Sequence, residues 1–86
     1  MEKESIEQLV RDIVYTARRG DYPDTASKIN LFATKLPAYI ENNLAVKNSI
    51  KKISYSLETL LLLQQQQDWV AVADVMEFEL SKLLLL

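Results

Sequence analysis

Residues 6 to 36 can be laid on residues 53 to 83 at one constant offset. This places Ile6 on Ile53, Val10 on Leu57, Ile13 on Leu60, Asp21 on Asp68, Tyr22 on Trp69, Ala26 on Ala73, Ile29 on Met76, Lys35 on Lys82 and Leu36 on Leu83. One helical hairpin cannot bury its own apolar face, and a second copy supplies the surface it packs on. Apolar stripes alone match cheaply between any two amphipathic helices. The Asp-aromatic-x-x-x-Ala junction does not, because it repeats a particular polar residue and a particular large one where a helix begins. The sequence therefore predicts an all-α fold, an antiparallel four-helix bundle of two pseudo-repeated hairpins, the first over about 3–43 and the second over about 44–86.

With 86 residues the chain makes one domain. It has one glycine and two prolines, too few for the turns of a sheet protein. No cysteine is present, so disulfides and thiolate metal sites are excluded, and no histidine is present to serve as acid, base or ligand. An enzyme is disfavoured on that ground, and no catalytic residue, metal or cofactor is assigned. The net charge of -2 divides evenly between the halves and offers no basic arm for nucleic acid or an anionic membrane. The start Met1-Glu2-Lys3-Glu4-Ser5 reads unlike a secretory or transit peptide, and the apolar runs, Leu60 to Leu63 among them, are too short to span a bilayer. A soluble, cytoplasmic protein is expected.

The first predicted helix runs from about Lys3 to Arg19, with Ile6, Leu9, Val10, Ile13 and Ala17 on one stripe. Glu2, Glu4 and Glu7 at its start and Arg18 and Arg19 at its end suit the helix dipole, and Gly20 supplies a left-handed stop. Asp21 caps the second helix, with Pro23 in its first turn. Tyr22, Thr25, Ala26, Ile29, Phe32, Ala33, Leu36 and Ile40 share one face, and Pro37 predicts a kink near Lys35 rather than an end at Leu36, because Ile40 continues the stripe. After the Asn42-Asn43 junction a third helix is expected from about Ala45 to Gln66, with Val46, Ile50, Ile53, Leu57, Leu60, Leu61 and Gln64 inward. Asp68 caps a fourth, with Trp69, Val72, Ala73, Met76, Leu80 and Leu83 on one arc. Trp69 is expected to be largely buried beside Tyr22.

The fourth helix carries a second apolar strip on its far side, Ala71, Val75, Phe78 and Leu85, interrupted by Lys82. A helix apolar on two faces is either central in a bundle or touches another chain. The strip is read as a partner-binding surface, most simply that of a symmetric homodimer. Asp74 and Glu77 are read as a solvated acidic edge rather than as metal ligands, with Lys47 and Lys51 as candidate partners. A helix-turn-helix is disfavoured, because the second helix opens on two aspartates where a recognition helix must approach phosphates.

The run Asp68-Trp69-Val70-Ala71-Val72-Ala73-Asp74-Val75-Met76-Glu77-Phe78-Glu79-Leu80 resembles a signature of small helical proteins of Gram-positive bacteria: Asp-aromatic, then Ala-Asp, then Glu-aromatic-Glu-Leu. Over about Gln64 to Leu84 the chain is also loosely similar to flagellar export chaperones of the FliT type, where an Asp-Trp pair opens an amphipathic helix. That similarity implies binding a secreted subunit through an apolar helical face. The function expected is a non-enzymatic protein-protein interaction module, chaperone- or adaptor-like. The alternatives are a tetratricopeptide-like scaffold and, remotely, a carboxylate-only metal enzyme.

Overall fold

Helix α1 spans Glu2–Arg19 and α2 spans Tyr22–Glu41; α3 is a single turn, Leu44–Lys47, and α4 spans Ile50–Gln65. The C-terminal helix is continuous but changes winding: α5, Trp69–Asp74, passes into a π-helical stretch, Val75–Leu80, and then into α6, Ser81–Leu83. This computed structural model describes residues 2–86, and side chains from Ser5 onward. The side chains of Glu2 and Glu4, expected to complement the dipole of α1, lie outside the described residues. All regular structure among the described residues is helical.

The turn after α1 and the turn after α4 are built alike. Gly20 and Gln67 both have positive φ, 82° and 59°. The Gly20 N–H donates to the Ala17 carbonyl and the Asp21 N–H to that of Thr16, while Gln67 donates to Gln64 and Asp68 to Leu63. These are the paired bonds that close a helix on a left-handed residue. Asp21 and Asp68 then take nearly the same backbone conformation, φ/ψ of -86°/75° and -90°/75°. Each carboxylate accepts the N–H three residues on, Asp24 at 3.4 Å and Ala71 at 3.3 Å. Every residue of the second set follows its counterpart at the interval that separates Ile6 from Ile53. Glycine makes the left-handed position free of strain after α1; the glutamine after α4 does not.

The α1 helix packs on α2 and on the C-terminal helix, which in turn packs on α4. Between them lies one apolar core, with Ile6, Ile13, Ile29, Phe32, Ile53, Leu60, Val72, Met76, Leu80 and Leu84 removed from solvent. The buried residues of α2 fall at Thr25, Ile29, Phe32 and Leu36, whereas those of the C-terminal helix fall at Val72, Met76, Leu80 and Leu84. In an α-helix each step of four residues drifts by about 40° around the axis, so four such positions would leave the core face. The π stretch absorbs the extra residue, with the Ser81 N–H donating to the Met76 carbonyl five residues back. Leu84 rather than Leu83 is thereby turned into the core; Leu83 is half-buried.

Two other expectations are corrected. The third predicted helix is broken: the Asn43 side chain caps α3 by accepting from Val46, and a turn at Asn48 and Ser49 separates α3 from α4. Short polar side chains compete with helical bonding, and the break leaves Ile50 exposed; Leu61 is exposed too and Gln64 half-buried. Helix α2 runs on through Pro37 rather than ending at Leu36, as the stripe continued by Ile40 implies, with Tyr39 and Ile40 buried beyond it. Trp69 is half-buried rather than buried, since its ring lies flat on that of Tyr22, itself exposed; the centroids are 4.9 Å apart and the planes 8° off parallel.

Polar groups inside the fold are paired. The Thr16 and Thr25 hydroxyls lie 2.8 Å apart, with the Asp21 carbonyl 2.8 Å from the second and the Ile13 carbonyl 3.2 Å from the first. The Tyr39 hydroxyl donates to the Leu84 carbonyl at 2.8 Å and ties the end of α2 to the chain's last turn. Burial raises the Tyr39 phenol above its usual value of about 10; Asn43 opposes the shift and the charge of Glu7 adds to it. The stability this supplies is complete below the unfolded-chain value near 10 and is lost as pH rises through the folded-state value. Chemical unfolding followed between about pH 8 and about pH 11 should show stability falling at the alkaline end, and Tyr39→Phe should reduce that slope.

Candidate interaction surface

Of the four residues expected to form one strip, the structure exposes two. Phe78 is 58% exposed and Leu85 52% exposed. Val75 is half-buried against the core and Ala71 is half-buried. Leu85 lies past the end of α6 with φ of 59°, and its N–H donates to the Lys82 carbonyl while that of Leu86 reaches Ser81. It is thus turned outward at a helix stop of the same kind as those at Gly20 and Gln67. The strip is therefore not one continuous ridge.

Phe78 has a neighbour the sequence reading missed. Tyr55 on α4 is 70% exposed, and the two aromatic residues line one groove of about 490 Å³ between α4 and the C-terminal helix. Leu83, Lys51, Lys52 and Lys82 line it too, and Ser56 donates to Glu79 at 2.7 Å within it. Tyr55 lies two residues from Ile53 and five from Leu60, away from the α4 stripe. Its place in the groove depends on how α4 docks on the C-terminal helix, which periodicity within one helix does not encode. No protein-family model, curated protein or solved structure matches this chain.

The acidic edge is engaged from an unexpected side. Asp74 and Glu77 meet neither Lys47 nor Lys51; Arg18 on α1 donates to both, at 3.1 Å and 2.6 Å. The two carboxylates hold its guanidinium charged, chiefly through the bond to Glu77 and then that to Asp74. Exposed ion pairs add little stability, so this fork serves mainly to fix the register of α1 against the C-terminal helix. Lys47 pairs with Glu41 at 3.0 Å instead. The only two phenylalanines of the chain are thus used oppositely: Phe32 fills the core and Phe78 faces solvent.

A second groove, about 550 Å³, runs between α1 and the C-terminal helix, with Val10, Val14, Tyr15, Arg18, Glu77 and Leu86 among its walls. Its charges are largely spent within the molecule, since Arg11 faces Glu7 and Arg18 faces Glu77. Among the described residues, no helix is long and apolar enough to cross a membrane.

Proposed function

We propose that this protein is a non-enzymatic protein-protein interaction module, chaperone- or adaptor-like, that binds a partner or a second copy of itself through the outer face of its C-terminal helix. The observation that carries the reading is the exposure of Phe78 and Tyr55 in the lining of one groove, over a core that closes without either. Large aromatic side chains in one concave patch are the usual anchors of protein interfaces. Phe78 is the central anchor, with Tyr55 on α4 lining the same groove.

The frame for this surface is an antiparallel four-helix bundle made of two related hairpins, α1 with α2 and α4 with the C-terminal helix. The matched bonds at the two turns and the stacking of Tyr22 on Trp69 support that reading. In it, one copy keeps a plain α-helical second arm and the other gains a residue there. The surplus residue distinguishes the arm that carries Phe78 from the arm that carries Phe32.

Replacing Phe78 by lysine tests the interaction. The variant should keep its helical circular dichroism yet lose concentration-dependent association in sedimentation equilibrium and the capture of any partner bound by the unmodified chain. An unmodified chain that stays monomeric, together with a variant that captures the same partners, would refute the reading.

A further inference from the structure

The groove beside Phe78 has a charge pattern as well as an apolar floor. Five of the described cations, Arg11, Arg18, Arg19, Lys28 and Lys47, sit in ion pairs with carboxylates of this chain. Among the described residues, Lys35, Lys51, Lys52 and Lys82 have no such partner, and the last three of these line one groove with Tyr55 and Phe78. The one carboxylate there, Glu79, accepts a bond from Ser56 rather than meeting a lysine. Unneutralised charges of one sign around an aromatic floor are complementary to a ligand of the opposite sign with an apolar anchor.

Resting on the interaction reading above, we propose that this groove docks a short acidic segment of another protein, one large apolar side chain entering between Tyr55 and Phe78 while flanking carboxylates face Lys51, Lys52 and Lys82. The dimensions suit one anchor. Lys51 to Tyr55 covers about 6 Å along α4 and Phe78 to Leu83 about 8 Å along the facing helix, at about 1.5 Å per residue. A second copy docked symmetrically through the same groove would set three lysines against three lysines, a repulsive arrangement. A nucleic-acid strand needs a longer basic track, of about four nucleotides or more. Here Glu58 and Glu77 stand on the same two helices, and the whole chain is net negative.

The test uses the full chain and three short fluorescein-labelled peptides that share one phenylalanine and differ only in their flanks: glutamate, glutamine or lysine. Fluorescence anisotropy should show the glutamate peptide binding tightest, weakening as salt is raised. Combined Lys51→Glu, Lys52→Glu and Lys82→Glu substitution should weaken it by about tenfold or more and transfer preference to the lysine peptide. These positions are exposed, so the variant should retain its helical dichroism; a Gln version at the same three sites, expected to lose preference for either charge, guards against misfolding. Equal binding of the glutamate and glutamine peptides would overturn the charge rule. Failure of all three peptides, with association still lost on Phe78→Lys, would overturn this inference and leave the interaction reading standing. Tighter binding to phosphatidylserine vesicles or to oligothymidylate than to the glutamate peptide would overturn it as well.

Discussion

Truncating Phe32 to alanine should cost about 3–5 kcal/mol of folding stability. Phe32 is the largest side chain wholly removed from solvent, and it belongs to the core cluster that α1, α2, α4 and the C-terminal helix share. The loss combines the transfer free energy of the ring with the cavity it leaves, which tightly packed helices cannot fully close. A domain of this size has a total stability on the order of 5–10 kcal/mol, so the variant should be partly unfolded well below the temperature at which the parent melts. Urea unfolding followed by circular dichroism measures the difference. A shift under about 1 kcal/mol would mean that the interior is not assembled around Phe32.

Deleting a residue should have opposite consequences in the two second arms. Removing Asn30 from α2 turns Phe32, Leu36, Tyr39 and Ile40 by about 100° relative to Ile29, and the protein should fail to fold or lose more than about 4 kcal/mol. Removing Phe78 from the π stretch should cost no more than about 1 kcal/mol. The shortened helix would carry its core residues at the same spacing as Thr25, Ile29, Phe32 and Leu36, and ordinary α-helical winding would then suffice. Thermal melts of the two deletions, read side by side, give the comparison. Equal damage in both would show that the π stretch is not a tolerated surplus residue.

The helical class was legible because each long apolar stripe is unbroken by glycine, and the helix starts were legible because Asp21 and Asp68 are caps whose side chains have one evident task. The stripe of α1 was read residue for residue, and Ile6, Leu9, Val10, Ile13 and Ala17 are all buried. The break at Asn48 and Ser49 was missed because Val46, Ile50 and Ile53 continue a helical spacing across it, so periodicity outweighed the local bonding of Asn43. The π stretch was missed for the reverse reason: Leu83 and Leu84 are both leucine, and composition cannot say which one a change of winding turns inward. At the candidate surface, Phe78 and Leu85 were visible as apolar residues off the main stripe, whereas Tyr55 and the three convergent lysines come from two helices that meet only after folding. The fork from Arg18 to Asp74 and Glu77 likewise joins residues far apart in sequence, and the dipole of α1 had already supplied a sufficient local reason for that arginine.

A proposed interaction anchor must be one that the interior can do without, as the core cluster does without Phe78. Urea unfolding of the Phe78→Lys variant beside the parent tests this most directly. The predicted result is an unfolding free energy within about 0.5 kcal/mol of the parent and an unchanged denaturant slope, as for a surface substitution. A loss of about 2 kcal/mol or more would place Phe78 in the packing of the fold and contradict its role as an interaction anchor.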